Sequence, residues 1–165
     1  MDNNLTLTPN QILAGERLYA EAISIILTNA RAELLIFDQD LSRGDFASLQ
    51  KIALFEQFLS GNINSHLTIV LQSTVFFQEK CPRLLKLLET YGHKMTVHET
   101  NDTAKHAKDC FILADGKHYI KRIHIDQARF KYALDDAETV RQLNSRFEEL
   151  LEATQNKVTV TNLGL

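Results

Sequence analysis

Two short runs of almost wholly apolar residues constrain the fold of this chain most strongly. The first is Glu33–Phe37, which is followed by Asp38, and the second is His66–Gln72. A strand that is apolar at consecutive positions has to be covered on both faces, as are strands in the middle of a parallel sheet. Helical periodicity between the two runs supplies the crossover that parallel pairing requires. The sequence therefore predicts an α/β fold in which helices cover both faces of a mixed, mostly parallel sheet.

Signals for helix ends surround these strands. Thr8-Pro9-Asn10-Gln11 combines an N-cap, a first-turn proline and a capping-box glutamine, and Asp135 to Glu138 resembles a second capping box. A leucine-rich stretch precedes Gly92, a residue type that commonly follows a helix. On these grounds helices are predicted over Pro9–Asn29, from Asp45 to Leu59, over Cys81–Tyr91 and from Asp135 through Leu151.

The second half of the chain is rich in strand signals. The turn residues Asp115-Gly116-Lys117 predict a hairpin between two flanking strands. Strands are predicted at Lys94–Glu99, Asp109–Ala114, His118–Ile125 and Arg129–Leu134, and the weak alternation at Lys157–Thr161 fits either a strand or a disordered tail. We expect residues 1–165 to form a single domain, with its core at about 9–154 and a C-terminal tail at 155–165.

Length and composition favour a protein that folds without cross-links. A chain of 165 residues can bury about 70% of its unfolded surface, so it needs neither disulfides nor a structural metal. Cys81 and Cys110 form no disulfide framework, and the polar start Met1–Asn4 does not resemble a secretory leader. We therefore expect a cytoplasmic protein. The apolar runs are much shorter than the ~20 residues that span a bilayer, so no membrane span is expected.

Charge is unevenly distributed, although the net charge is only −3. Between Lys105 and Lys131, seven Lys or Arg residues stand against three Asp, whereas six acidic residues and two Arg lie between Tyr132 and Asn156. The net charge gives no general attraction to nucleic acid or anionic lipid. It does not decide whether the protein binds nucleic acid, and that question stays open. The basic segment indicates either an anion-binding face or solvated strand edges and helix faces.

One stretch of nine residues has a distinctive spacing: Lys108-Asp109-Cys110-Phe111-Ile112-Leu113-Ala114-Asp115-Gly116. It closely resembles the H-x-K/R-x-x-x-x-D-G motif of the phospholipase D-like superfamily. Lys108 stands where that family keeps its nucleophilic His, and Cys110 stands where it keeps a phosphate-binding Lys or Arg. Asp115 matches the motif Asp. By this resemblance the motif is degenerate at Lys108 and Cys110, where the family keeps its reactive residues, and intact at Asp115.

The resemblance extends over roughly Gln11 to Thr154, which is one half of a phospholipase D-like protein. Such halves have a first strand that ends in Asp, as Ile36-Phe37-Asp38 does, and a closing helix similar to Phe147-Glu148-Glu149-Leu150. Within the superfamily the chain is most similar to a small bacterial group of single-domain members. The implied fold is a phospholipase D-like α/β half-domain.

The resemblance also implies what chemistry to expect. The family's reaction uses two motif copies, one His to attack phosphorus and one to protonate the leaving group. A chain with one copy resembles the dimeric nucleases of the superfamily, so a homodimer is expected. However, an unperturbed lysine is protonated at neutral pH, Cys110 has no fixed positive charge, and the family's downstream Gly-Ser and Asn signals are missing. We therefore expect a binding or interaction protein for a phosphate-bearing ligand rather than an enzyme.

A catalytic alternative stays open. His106-Ala107-Lys108 contains the H-x-K spacing in a shifted register, although Leu113 then occupies the position of the motif Asp. In this alternative a homodimeric phosphodiesterase or nuclease uses His106, or His118 or His124 from the next strand. A third hypothesis is a purely structural partner in a complex, which requires a large exposed apolar patch.

The candidate ligand-binding residues are the cations and histidines of the predicted hairpin. Residues two apart share one face of a strand, so Lys108 and Cys110 are expected to point together, as are His118, Arg122 and His124. The full set is Lys108, His118, Lys121, Arg122 and His124. It forms either a cationic patch or the polar side of a half-exposed hairpin. Because the Cys and His residues lack zinc-site spacing, neither a metal nor another cofactor is expected.

Overall fold

The computed structural model describes residues 7–160 of the chain. Its strands are β1 (Leu13–Ala14), β2 (Glu33–Asp38), β3 (His66–Leu71), β4 (Met95–Thr100), β5 (Cys110–Ala114), β6 (His118–His124), β7 (Gln127–Ala133) and β8 (Thr154–Lys157). Its helices are α1 (Glu16–Asn29), α2 (Leu49–Gly61), α3 (Val75–Lys80), α4 (Pro82–Thr90) and α5 (Ala137–Glu152). The described strands form one sheet in the order β1-β7-β6-β5-β2-β3-β4-β8.

The sheet is mixed, and helices cover both of its faces, which confirms the predicted fold class. Parallel pairing joins β2 to β3 and β3 to β4, whereas the other described pairings are antiparallel. Parallel pairing is therefore less extensive than "mostly parallel" implied. The reason is the hairpin of β5 and β6, because β5 enters antiparallel to β2 and the short connections to β6 and β7 can join only antiparallel neighbours.

The central strands have apolar side chains on both faces, as their sequences predict. Leu34 and Ile36 of β2 belong to the core that packs under α1, α2 and α4. Leu35 and Phe37 belong to a second core under α5. In that second core the Phe111 ring lies between Phe37 and Phe147, with centroid distances of 5.6 and 6.5 Å. None of the helices in the described part of the chain is long and apolar enough to span a membrane.

The first helix begins later than predicted, at Glu16 instead of Pro9. The segment before it pairs with the edge of the sheet: the Asn10 N–H donates to the Tyr132 carbonyl at 2.9 Å, and the Gly15 N–H donates to the Ala128 carbonyl at 2.8 Å. Gly15 has a φ of 121°, which a side chain would strain. Tertiary pairing thus overrides the capping-box signal.

The second helix also begins later than predicted. Asp45 has a φ of 61° and does not cap it; the Ser48 hydroxyl instead accepts a hydrogen bond from the Lys51 N–H at 3.2 Å. The predicted third helix corresponds to α4, and α3 before it had no predicted counterpart. The tail forms β8 at Thr154–Lys157, earlier than the weak alternation suggested, and Thr161 lies outside the described residues.

Asp115 joins the hairpin turn to the start of β2. Its carboxylate accepts hydrogen bonds from the backbone N–H groups of Arg31, Ala32 and Glu33 at 2.8, 2.7 and 2.9 Å. These donors precede Leu34, the residue at which the pairing of β2 with β5 begins. The motif Asp is therefore a structural residue in this fold.

Replacing Asp115 with Ala is expected to lower the free energy of unfolding by about 2 kcal/mol, because three N–H groups lose a charged acceptor. Urea unfolding followed by circular dichroism measures the change. Asp135→Ala is the matched control, because Asp135 has nearly the same left-handed φ, 58° against 57°, and no recorded side-chain hydrogen bond. Equal losses in the two variants would contradict the assigned role of Asp115.

Candidate functional site

Cys110 and Arg122 lie opposite each other on β5 and β6 and pack beneath α1. The Cys110 Sγ atom lies 3.5 Å from the Tyr19 hydroxyl, and the Arg122 guanidinium lies 4.9 Å from the centroid of the same ring. All three side chains are buried. Cys110, which the sequence resemblance likened to a phosphate-binding residue, therefore lies inside the protein, under the first helix.

Arg122 is fully engaged by partners within the chain. Its Nη1 and Nη2 atoms donate to the two oxygens of Glu16 at 2.6 and 2.9 Å. Its Nε and Nη2 atoms also donate to the carbonyls of His124 and Ile125 at 3.2 and 3.0 Å. The hydrogen bond to Glu16 raises the pKa of Arg122 and lowers the pKa of Glu16. The Arg122 guanidinium thus binds a carboxylate of its own chain bidentately, as arginines in other proteins bind the carboxylate or phosphate group of a ligand.

Cys110 cannot supply a thiolate in this environment. Burial raises the pKa of the Cys110 thiol well above its usual value, and the nearby Asp38 carboxylate raises it further. Burial also raises the pKa of Asp38, whose Oδ2 accepts hydrogen bonds from the Leu41 and Asp40 N–H groups at 2.7 and 3.2 Å. The cavity bounded by Asp38, Arg43, Cys110 and Arg122 measures about 10 Å³, the space of one water molecule. A phosphate group does not fit there.

The three candidate histidines are separated. The buried His118 lies at the turn end of β6, where its Nδ1 accepts a hydrogen bond from the Asp135 N–H at 3.0 Å. His124 lies at the other end, and its Nδ1 accepts from the Asp126 N–H at 3.1 Å. His106 is exposed in the segment before β5. These positions do not form one site.

An open groove on the opposite face of the sheet, beside α5, has cationic and apolar walls. We call it the lysine groove. Its volume is about 540 Å³, and it is lined by Ile12, Lys108, Asp109, Tyr119, Lys121, Ile123, Lys131, Thr139, Gln142 and Leu143. Tyr119 belongs to the core under α5, so Lys121, two residues further along β6, lies on the same face. Lys108 lies in this groove, and Cys110 faces α1, contrary to the expectation that the two point together.

Three lysines dominate the charge of this groove. Lys121 and Lys131 are direct cross-strand partners in the pairing of β6 with β7. Asp109 offsets them only in part: it lies 3.8 Å from the Lys121 Nζ but binds Arg146 at 2.6 Å. Within residues 7–160, the ammonium groups of Lys108 and Lys131 have no ion pair or hydrogen bond.

Part of this arrangement is predictable from the sequence. The groove brings together two of the predicted ligand residues, Lys108 and Lys121, but not Arg122, His118 or His124. Lys131 was not selected, although its place on an alternating strand beside Lys121 could have indicated it. No local sequence pattern indicates Glu16 as the partner of Arg122, because the two residues are 106 positions apart. Among the described residues, no group of three or more His, Cys, Asp or Glu could hold a metal ion.

Solved structures place this architecture in a known class. Nuc of Salmonella typhimurium, a phospholipase D family member, superposes with a TM-score of 0.61 at 7% identity, over 91% of this chain and 99% of Nuc. NucT of Helicobacter pylori gives 0.56 at 12% identity, over 87% and 96%. The fold is therefore phospholipase D-like. At these identities the likeness concerns the fold alone.

An archaeal chromatin protein, TrmBL2, has the same architecture over part of its length. It superposes with a TM-score of 0.64 at 12% identity, and its structure was described as showing a novel mode of DNA binding. The match covers 92% of this chain and 56% of TrmBL2, so the chain spans little more than half of that protein.

A match to a family model shows which family this chain belongs to. The family model of the domain of unknown function DUF7931 matches residues 16–163, and the chain belongs to this family. No curated protein matches the chain in sequence.

Replacing Glu16 with Gln is expected to lower the free energy of unfolding at pH 7 by about 1–2 kcal/mol, because buried Arg122 loses its counter-charge. The loss is smaller than for a fully buried pair, since the Glu16 side chain is 57% exposed and water screens it. Glu21→Gln is the control, because its ion pair with Arg17, at 3.9 Å, is exposed and should contribute less than about 0.5 kcal/mol.

The contribution of the Glu16–Arg122 pair to stability should also depend on pH. Because the folded pKa of Glu16 is lowered, the pair contributes fully above the unfolded carboxyl pKa of about 4.3 and loses its contribution as the pH falls through the lower folded value. Urea unfolding between pH 7 and pH 3 should therefore show a steeper loss for the wild type than for Glu16→Gln. Parallel curves would contradict this assignment.

Proposed function

We propose that this protein is a non-catalytic phospholipase D-like domain that binds a phosphate-bearing ligand in the lysine groove. The observation that supports this most directly is the pairing of Lys121 with Lys131, with Lys108 beside them. Like charges directly opposite each other on neighbouring strands are destabilising. A bound anion removes this repulsion, and phosphate oxygens are suitable acceptors for several ammonium groups at once.

The local charge makes the arrangement more specific. The chain as a whole carries a net charge of −3, so a general excess of cations does not account for three lysines around one groove. Asp109 is the acidic lining residue, and its closer partner is Arg146. The groove therefore keeps an excess of positive charge, which focuses the field toward an anionic ligand.

The absence of catalysis is proposed from the motif positions. Lys108 is in the groove, the protonated Cys110 is buried, and Arg122 is occupied by Glu16. The phospholipase D-like reaction needs a histidine positioned for attack. His118 and His124 each accept a local backbone hydrogen bond through Nδ1, and they lie at opposite ends of β6.

Ammonium groups recognise the phosphate group itself, whichever molecule carries it. The described DNA binding of TrmBL2 is compatible with a nucleic-acid ligand for this fold.

A cytoplasmic location also stays a prediction, based on the free cysteines Cys81 and Cys110. That the chain forms a single domain is likewise a proposal.

Inorganic phosphate is expected to shift backbone amide resonances around Lys121 and Lys131 in two-dimensional NMR at constant ionic strength. A Lys121→Ala/Lys131→Ala variant should raise the dissociation constant at least tenfold, which corresponds to about 1.4 kcal/mol. Lys117→Ala is the matched control, because Lys117 lies in the turn between β5 and β6, away from the groove. Equal effects of the control and the double variant would overturn the proposed site.

Purified protein is expected to show no metal-independent hydrolysis of a bis-aryl phosphate or of single-stranded DNA. The assay should include His106→Ala, because exposed His106 is the histidine of the shifted motif register. Turnover in the wild type that is lost in His106→Ala would replace the proposed function with the nuclease alternative.

The homodimer expected from the resemblance stays a proposal. Light scattering at micromolar concentration tests it against the chain mass of 18.8 kDa. A mass that stays at the monomer value with and without phosphate would exclude a dimer in this concentration range.

A further inference from the structure

We infer that the ligand of the lysine groove is a nucleoside monophosphate, either free or at the end of a nucleic-acid strand. This inference rests on the proposed function and specifies its ligand. It follows from the non-cationic walls of the groove, which a bare phosphate ion would leave unused.

The apolar wall lies next to the lysines. Ile12 and Ile123 are 56% and 42% exposed, although both are large and apolar. Ile123 follows Lys121 on the same face of β6, and Leu143 of α5 also lines the groove. A flat organic group against this wall would remove both isoleucines from water, with a gain of about 25 cal/mol per Å² of buried apolar surface. The ligand should therefore carry an apolar face beside its phosphate.

The size of the groove agrees with such a ligand. Small-molecule sites typically measure about 300–1,000 Å³, and the 540 Å³ of the groove lies within this range. A phosphate ion bound between Lys121 and Lys131 fills only the cationic part. The remaining space has to be occupied by the rest of the ligand or by water.

Polar groups on α5 favour a nucleoside over a simple alkyl chain. Gln142 is exposed, lines the groove and has no hydrogen-bond partner recorded within residues 7–160. Its amide both donates and accepts, so it matches the mixed donors and acceptors on the edge of a base. The Thr139 hydroxyl donates to Asp136 at 2.8 Å and keeps acceptor capacity toward the groove. An alkyl phosphate would leave these groups bonded to water only.

Calorimetric or NMR titration with adenosine monophosphate, adenosine, butyl phosphate and inorganic phosphate tests the inference on the full chain. Adenosine monophosphate should bind at least tenfold more tightly than each of the other three probes. Ile123→Ser should reduce this preference and leave the affinity for inorganic phosphate unchanged. Ile63→Ser is the matched control, because Ile63 is 90% exposed and follows α2, away from the groove. Gln142→Ala should weaken the binding of adenosine monophosphate but not the binding of butyl phosphate.

The outcomes separate this inference from the proposed function. Equal affinities for inorganic phosphate and adenosine monophosphate would overturn the inference and leave the phosphate site standing. Equal affinities for butyl phosphate and adenosine monophosphate would overturn the assignment of a nucleoside. If no phosphate binds, both proposals fail. A 5′-phosphorylated tetranucleotide that binds more tightly than the mononucleotide would support the end of a strand as the source, and weaker binding would support the free nucleotide.

Discussion

The antiparallel insertion of β5 beside β2 determines which side of the sheet each residue from Cys110 to Ala114 faces. Because β5 is central and covered on both faces, alternate residues belong to two different cores: Cys110 and Ile112 contact the side of α1, whereas Phe111 and Leu113 pack under α5. Asp115 holds this strand in register by binding three N–H groups at the start of β2. This register decides which side chains of β5 are covered by α1 and which by α5.

Burial at the start of β5 leaves no room for an anion beside Cys110. A lysine at position 110 would need a counter-charge in a cavity of about 10 Å³, whereas the Cys110 thiol is neutral and fits beside Tyr19. The positive charge nearby comes from Arg122 and is balanced by Glu16 of α1. A phosphate would have to displace Glu16 from a bidentate pair, so this region favours a closed structure over an anion site.

The sequence predicted the strands better than the helix starts, and the reason is physical. Runs such as Leu67–Leu71 can be stable only when covered on both faces, so their burial follows from composition. The signal at Pro9 was outweighed by sheet-edge hydrogen bonds of Asn10 and Gly15, which no local pattern reveals. For the site, the hairpin signal correctly predicted that β5 and β6 pair, which brings Cys110 opposite Arg122. The expectation that Lys108 points with Cys110 was wrong, because Lys108 lies before β5 begins, where strand alternation no longer applies. The partner of Arg122 could not be found from spacing.

The two faces of the hairpin thus have different relations to function. On the α1 face, Cys110 contacts Tyr19 and Arg122 binds Glu16, so both side chains are engaged within the protein. On the α5 face, β6 and β7 keep Lys121 and Lys131 opposite each other at a cost that the fold itself does not require. Substitution of either lysine by a neutral residue would relieve this repulsion without disturbing the core residues beneath, Tyr119 and Ala133. The paired lysines, offset only in part by Asp109, are therefore the feature on which the proposed anion site rests, on the face opposite to Cys110 and Arg122.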